Sequence, residues 1–291
     1  MKLSELSYAH PELFVEIVAI MIFARAILLP TIAAALLLIL GPSTSREAEA
    51  GVDARFEIFG FAGFHILTTR TTIEETPDRY AIAADLDTRG LASVFADITS
   101  HSEVHGVLSG DVPHPSDYRA DMRRNGTARH YGLDYRGDGA VTNVSAPPLT
   151  GPPLFFAEKQ ICGTVDQLTA FFIVERQLAQ RGTCTLTVRV FDSSALYNLR
   201  FTDVEREMLS ADGRQNFAGL SQVCQIVRED LVVNSDRNED TYRRGRIWYA
   251  RLIAGYRMMP VRMEFETGSA AVTGYLAEFR GRGADLHLMK E

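Results

Sequence analysis

Two histidines and a glutamate at alternate positions form the sequence feature with the clearest chemical potential. They are His101, Glu103 and His105, in the segment His-Ser-Glu-Val-His. In an extended strand, residues two positions apart face the same side, so these three side chains would converge. Two imidazoles and a carboxylate can hold a zinc ion, and the ion would lower the pKa of a bound water molecule for hydrolysis. The alternative is an ordinary strand whose polar face meets water.

No other pattern in the chain indicates catalysis. The G-x-S-x-G nucleophile motif, the phosphate-binding P-loop and the glycine pattern of dinucleotide-binding folds are all absent from the sequence. We therefore assign no catalytic residue, no cofactor and no metal site, and a metal-dependent hydrolase is kept only as an alternative hypothesis.

Three cysteines are the other reactive groups, at Cys162, Cys184 and Cys224. A helix is predicted between the first two and would be about 25 Å long. A disulfide needs a Cα separation of roughly 4–7 Å, so these two cysteines cannot form one. Two pairings remain, and we favour Cys184 with Cys224, because both lie in predicted strands that could be neighbours. Cys162 would then be unpaired, and we expect a small buried apolar residue rather than a reactive thiol.

The helix is predicted over Val165–Arg181. Thr164 and Gln167 fit a capping box at its start, and Gly182 fits a left-handed cap at its end. Its centre, residues 170–174, is apolar on nearly all sides, which indicates deep burial. The helix could close the mouth of a curled sheet, or it could be an ordinary helix packed on one sheet face.

Most of the chain after residue 50 predicts strands. Apolar and polar residues alternate in Thr185–Val190 and Val261–Glu266, which is typical of a sheet with one packed face. Further strands are predicted at about 54–60, 64–74, 79–87, 100–108, 128–136, 196–208, 222–228, 246–253 and 271–279. The proline-rich residues 144–153 are interpreted as an ordered connection within one domain, and the alternative is a linker between two small domains. A sheet of this many strands must curl. We therefore predict a mostly β fold, in which one strongly curled antiparallel sheet forms a half-barrel or open barrel with the main helix packed on or in it.

Residues 1–50 are predicted to lie outside this fold. The apolar, uncharged run Ala26–Leu40 is followed by a small-x-small triplet that ends at Ala50. This order is typical of a secretory signal peptide cleaved between Ala50 and Gly51. A start at Met21 would give a signal of ordinary length. The alternative is an uncleaved N-terminal helix that anchors the chain in the inner membrane, with the rest facing the periplasm.

We expect residues 51–291 to form a single β-rich domain. The composition and net charge of the chain exclude several classes of protein. The whole chain is 46% hydrophobic and 23% charged, which is typical of globular proteins and excludes a disordered or fibrous one. The net charge of −7 does not favour a nucleic-acid partner, because phosphate contacts need basic patches. We expect contact with a membrane only through the first 50 residues, if they are not cleaved.

Several segments, taken in order, resemble the bacterial domain of unknown function 3108 family. They are Arg55–Gly63, Gly163–Ala170, Cys184 with the later Val190–Asp192, Cys224, and Pro260–Arg262. Two places depart from the family pattern: Gln167, where proline is commoner, and Ser193-Ser194, where glycine and basic residues are commoner. The resemblance covers about 54–280 and implies a secreted or periplasmic protein without an established activity. By a looser likeness, it implies a curled sheet similar to the lipoprotein carriers of the bacterial envelope.

These observations together predict a non-enzymatic protein of the cell envelope. Its curled sheet and apolar helix would enclose a cavity for a lipid acyl chain or another hydrophobic ligand, such as a protein segment. One alternative is the hydrolase that uses His101, Glu103 and His105. Another is a structural or interaction protein that contacts envelope partners through a sheet edge. A deep apolar pocket between helix and sheet would favour carriage, and a filled core would favour the structural alternative.

Overall fold

The computed structural model of the protein describes residues 51–90, 93, 97–146, 156–211, 213–232, 243–267 and 270–290. The predicted signal segment, up to Ala50, lies outside the described residues, so its cleavage stays a prediction. Within the described residues, no helix has the length and apolar character needed to cross a membrane.

The secondary structure of the described residues is mostly β. Its elements in chain order are β1 Val52–Phe59, β2 His65–Glu75, β3 Arg79–Thr88, β4 Ile98–Ser109, β5 Val112–Arg124, β6 Thr127–Tyr135, β7 Val141–Ser145, α1 Glu158–Ile161, α2 Gln167–Arg181, β8 Leu186–Phe191, β9 Leu196–Leu209, β10 Gly219–Val232, β11 Arg244–Ala250, β12 Met259–Thr267, β13 Ala270–Gly281 and β14 Ala284–His287.

All of these strands belong to one antiparallel sheet. Their order is β7-β6-β5-β4-β3-β2-β1-β13-β12-β11-β10-β9-β8, and β14 pairs with β13 beside that path. Two meanders, β1 to β7 and β8 to β13, meet where β1 pairs with β13. The sheet is not closed, because β7 and β8 lie at its opposite ends. The prediction of a mostly β fold built on one large antiparallel sheet is confirmed.

Alternation along each strand gives the sheet two different faces. In β3, the side chains of Tyr80, Ile82, Ala84 and Leu86 are buried, and the residues between them are partly exposed. Apolar side chains on one face remove their surface from water, which is the main favourable contribution to folding. We call this packed face the inner face and the opposite, more polar face the outer face.

The main helix, α2, begins two residues later than the sequence predicts. Its N-cap is Asp166, whose carboxylate accepts a hydrogen bond from the backbone N–H of Thr169 at 2.9 Å. A carboxylate also interacts favourably with the partial positive charge at a helix N-terminus. Thr164 instead donates its hydroxyl to a carbonyl three residues earlier, so the predicted capping box with Gln167 is wrong. The helix ends as predicted, at Gly182 with a φ of 68°.

The helix packs against the inner faces of both meanders. Phe172 stacks on Tyr80 of β3 with 5.0 Å between ring centroids, and Phe171 meets Phe201 of β9 edge-on at 5.8 Å. The Tyr80 hydroxyl lies 2.9 Å from the hydroxyl of Thr169. The helix therefore links the first meander to the second through its central apolar residues.

Three strands, β5, β7 and β14, fall where the sequence predicts none. β5 contains Pro113 and Pro115 near its start, and its pairing with β4 shifts register between His105 and Gly106. Proline is tolerated at such irregularities because the missing N–H is not needed there. β7 overlaps the start of the predicted proline-rich connection. The prolines therefore hide β5 from the alternation pattern, whereas β7 and β14 are short strands of five and four residues.

Candidate functional site

The space between α2 and the inner face is the first candidate site, because the sequence predicts a ligand cavity there. The cavity that remains measures about 60 Å³. Its walls are largely apolar and include Phe56, Ile82, Leu168, Phe172 and Met263. Pockets for small organic ligands usually measure roughly 300–1,000 Å³. The interior is therefore filled by the protein's own side chains and holds no space for an acyl chain.

Buried ion pairs hold α2 against the first meander and the loop before β12. The Nε of Arg257 donates to Glu175 at 3.1 Å, and Arg257 also pairs with Glu75 at the end of β2. Arg176 pairs with Glu75 and lies 3.2 Å from the carboxylate of Asp111. We call Glu75, Glu175, Arg176 and Arg257 the α2 latch. The side chains of Arg257 and Glu175 are only 7% and 8% exposed, so loss of one partner would leave a buried charge.

Burial changes the ionisation of two carboxyl groups on α2 and at its cap. It raises the pKa of Glu175 to about 7, and the Arg257 guanidinium opposes this rise only in part. It raises the pKa of Asp166 to about 6, although hydrogen bonds from Thr169 act in the opposite direction. Burial acts to lower the pKa of Arg257, but Glu175 and the other nearby groups raise it overall, so the guanidinium stays charged. Neither carboxyl group faces a space that could admit a substrate, so both pKa values follow from packing.

The second candidate site is a groove of about 830 Å³ on the outer face, which crosses β2 to β6. Strand register places one polar side chain from each strand in a row: Arg70, Asp85, His101, Asp121 and His130. A second row lies two residues along: Thr68, Asp87, Thr99, Arg123 and Ala128. We call the surface formed by these two rows, together with Arg89, the outer groove. Its volume is in the range of ligand sites, but its lining is polar.

The acidic side chains of the outer groove already have partners, whereas two of its arginines form no ion pair with the described residues. The paired groups are His101 and Asp85 at 2.7 Å, His130 and Asp121 at 2.5 Å, and Arg89 and Asp87 at 3.1 Å. Arg70 and Arg123 form no ion pair with any residue in the part of the chain that the structure describes. Arg70 lies near Asp53, where it partly offsets the rise that burial causes in the pKa of that carboxyl group. The outer groove therefore presents two guanidinium groups that can accept a new partner.

The predicted metal ligands lie on one face of β4, as expected, but they do not form a metal site. The Nε2 of His101 is 3.9 Å from the Glu103 carboxylate, and its Nδ1 contacts Asp85. The Nδ1 of His105 lies 3.0 Å from Asp117 on β5. The ligand atoms of the three predicted residues do not come within 4.8 Å of one another as a set. Because the three ligand atoms do not come together around one point, the geometry does not support the hydrolase hypothesis.

The predicted disulfide between Cys184 and Cys224 is present, with a Cα separation of 6.3 Å. Both residues are fully buried, and a carboxylate oxygen of Asp203 lies 3.1 Å from the Cys184 sulfur. These three residues are the one group of potential metal ligands within 4.8 Å that the described residues contain, but its two cysteines are bonded to each other. The prediction of a buried Cys162 is wrong: it is exposed, because Ile161, not Cys162, is the residue that α1 buries.

The sequence singles out His101 but none of its neighbours in the outer groove. Arg70, Asp85, Asp121 and His130 each occupy the polar phase of an alternating strand, and every such residue in an isolated strand is expected to meet water. Their assembly into a row depends on the register of five strands. The sequence does show that each of these five strands carries a charged residue or a histidine among its polar positions, and this recurrence is the signal that could have indicated the row.

Comparisons with known proteins give a family match and several distant structural similarities. The model of a family described as "Protein of unknown function (DUF3108)" matches residues 55–276. A β-barrel-like protein of the domain of unknown function DUF1849 from Brucella abortus has a TM-score of 0.47 and 11% identity, over 81% of this chain and 99% of that one. A candidate lipoprotein from Parabacteroides distasonis has a TM-score of 0.29 and 13% identity, over 80% of this chain and 95% of that one. No curated protein matches the sequence.

Proposed function

The chain belongs to the DUF3108 family of proteins of unknown function, and from that premise we propose that it is an exported, non-catalytic protein of the bacterial cell envelope. It binds its ligand on the outer face of the sheet and not in an interior cavity. The observation that carries this proposal is the contrast in space: about 60 Å³ under α2 and about 830 Å³ in the outer groove.

Export is supported by the disulfide and by the N-terminal sequence. A disulfide between buried cysteines persists in an oxidising compartment and is rare in the cytosol. The signal segment would be removed between Ala50 and Gly51, which leaves a periplasmic domain. An uncleaved segment would instead anchor the same domain to the inner membrane. Cell fractionation with intact-mass measurement distinguishes these cases, and we expect a disulfide-containing chain that begins at Gly51.

We also propose that the sheet curls around α2. The helix contacts Tyr80 on β3 and Phe201 on β9 through adjacent residues. These strands are seven steps apart in the sheet order, which would be about 34 Å in a flat sheet. A helix with its side chains is only about 10–12 Å across. A curved sheet, open between β7 and β8, brings both strands to the same helix.

Carriage of an acyl chain or another hydrophobic ligand would need a different arrangement of α2. The cavity beneath the helix is several times too small, and the α2 latch would have to break before the helix could move. Breaking it would separate charges that are shielded from water. The filled interior therefore favours the interaction alternative over the carrier hypothesis.

Native mass spectrometry of protein purified from the envelope fraction tests the proposal. Samples taken before and after extraction with organic solvent should have the same mass, which equals that of the polypeptide with one disulfide. A stoichiometric acyl-lipid adduct that extraction removes would contradict the proposal and restore the carrier hypothesis. A cytoplasmic location with reduced cysteines would contradict the export part of the proposal.

A further inference from the structure

We propose that the outer groove binds an extended polyanion, a chain with repeated phosphate or carboxylate groups, through Arg70 and Arg123. The inference rests on the proposed function, because it assigns a ligand class to the same groove. A guanidinium group offers five N–H donors in a planar arrangement and no acceptor. It pairs with phosphate or carboxylate through two parallel hydrogen bonds.

The choice of an anion follows from which groups in the groove are already engaged. Asp85, Asp87 and Asp121 each have a basic or imidazole partner within 3.1 Å. Arg70 and Arg123 have no ion-pair partner among the described residues, so their donors are the unused recognition groups. A cationic ligand would have to compete with the existing partners of the three aspartates, whereas an anionic ligand would not.

Attraction by net charge does not explain this preference. Three arginines and three aspartates cancel in the outer groove when its histidines are neutral. Binding should therefore depend on contact with specific guanidinium groups rather than on a general positive field. The prediction that follows is sensitivity to individual arginines, with little effect of arginines elsewhere on the sheet.

The choice of an extended chain follows from the spacing of the two arginines. Arg70 is on β2 and Arg123 is on β5, three strands away and one row along. In a flat sheet this corresponds to about 16 Å between their Cα atoms. A single small anion cannot contact both groups at their extended positions. A chain can do so if it crosses β3 between Asp85 and Asp87, which have His101 and Arg89 as partners, and then β4 over the short side chain of Thr99. Two linked contacts then strengthen each other, because the second becomes intramolecular.

Isothermal titration calorimetry at low ionic strength tests this inference, with protein purified with its disulfide intact. The probes are linear polyphosphate, poly-L-glutamate and inorganic phosphate. At least one of the two chains should bind about 10-fold or more tightly than inorganic phosphate. Preference for polyphosphate would indicate a phosphate ligand, and preference for polyglutamate would indicate a carboxylate ligand. Equal binding would indicate recognition of the anionic chain itself.

Substitutions locate the binding in the groove. Arg70→Gln and Arg123→Gln should each weaken binding of the preferred chain about 3- to 5-fold, in line with the strength of exposed ion pairs. The double variant should bind the chain no better than inorganic phosphate. Arg189→Gln, at an exposed position on β8, is the matched control and should leave binding unchanged. Each variant should unfold at the temperature of the unmodified protein.

A further variant should act in the opposite direction, and a matched variant on the second meander serves as its control. Asp87→Asn frees Arg89 from its ion pair and should tighten binding about 2-fold. Glu229→Gln frees Arg200 on the second meander in the same way and should have no effect. These variants separate recognition in the groove from adsorption to any exposed arginine.

Two results would overturn the inference: equal affinity for chains and inorganic phosphate, or an equal loss in Arg189→Gln and the groove variants. Neither would affect the proposed function if the protein is exported and carries no lipid. An acyl-lipid adduct would instead overturn the proposed function, whatever the polyanion result.

Discussion

The inner and outer faces of the first meander are built from the same strands but differ in nearly every physical respect. On β3, Ile82 and Leu86 are buried in the core, and Asp85 and Asp87 between and beside them line the outer groove. The inner face is apolar and covered by α2, whereas the outer face is polar and open. The comparison teaches that the space available for a ligand lies on the polar side of this sheet.

Ion pairs on the two faces show that burial affects the stability contribution of a pair more than the distance between its charged atoms does. Arg257 and Glu175 lie 3.1 Å apart with side chains 7% and 8% exposed. His101 and Asp85 lie 2.7 Å apart with side chains 44% and 33% exposed. Water screens the exposed pair, so it contributes little to stability. The buried pair cannot lose one member without leaving a desolvated charge.

The largest expected effect is on the inner face, where Phe172→Ala should lower the free energy of unfolding by about 4 kcal/mol. Phe172 is fully buried, stacks on Tyr80 and lines the small cavity under α2. Chemical denaturation measures the change. Phe64→Ala, at a side chain that is 57% exposed, is the control and should cost less than about 0.5 kcal/mol. A loss below about 1 kcal/mol for Phe172→Ala would mean that the interior is not tightly packed.

The next effect concerns the α2 latch. Arg257→Met should lower the free energy of unfolding by about 3 kcal/mol, at the low end for a broken buried pair, because Glu75 keeps Arg176 as a partner. Arg200→Met breaks the exposed pair with Glu229 and should cost less than about 1 kcal/mol. Adding Glu175→Met to Arg257→Met should recover part of the stability. Equal losses in the buried and exposed variants would remove the distinction between the two faces.

A smaller effect is expected from pH, at the buried N-cap of α2. The folded-state pKa of Asp166 is about 6, above its ordinary value of 3.8, because burial disfavours the charged form. The folded protein therefore binds this proton more tightly than the unfolded chain does. The resulting stabilisation is fully present below about pH 4 and is lost as the pH rises to about 6.

Asp166→Asn isolates this contribution, because asparagine stays neutral and is also a good N-cap. Between pH 4 and pH 7, the unmodified protein should lose roughly 2 kcal/mol relative to the variant. Urea denaturation at several pH values measures this difference. A difference that does not change with pH, or that changes with the opposite sign, would show that Asp166 is not buried as described.

The smallest effect on stability is expected in the outer groove. Arg70→Gln and His101→Gln should each change the free energy of unfolding by less than about 0.5 kcal/mol, because both side chains lie on the water-exposed face. Thermal unfolding measures these changes. A loss of 2 kcal/mol or more would mean that the polar row holds the sheet together and is not available for a ligand.

The sequence predicts most of the fold, because alternation is a local signal. The segments 79–87 and 196–208 match β3 and β9 closely, and Gly182 ends α2 as expected. Prediction from the sequence fails where prolines interrupt the alternation and where neighbouring residues are of types that can all cap a helix. Prolines conceal β5, and the N-cap of α2 is Asp166 and not the predicted Thr164, whose hydroxyl donates to the carbonyl of Ile161 instead.

The candidate site is much less predictable, because it depends on long-range register. His101, Glu103 and His105 share a face, as their spacing predicts, but their ligand atoms do not come close enough together to hold one ion. The sequence also predicts an apolar interior without showing whether it is filled. Side chains such as Phe172 determine the free volume, and their packing is a property of the whole fold.

Hydrogen–deuterium exchange of the α2 backbone tests most directly whether the interior is closed. If α2 is a fixed part of the core, its amides from Phe172 to Leu178 should exchange only through global unfolding, like those of the central strands. Their opening free energy should then lie within about 1 kcal/mol of the global value. Opening of α2 at a cost several kcal/mol lower, with the strands still protected, would identify the helix as a movable lid and contradict the account.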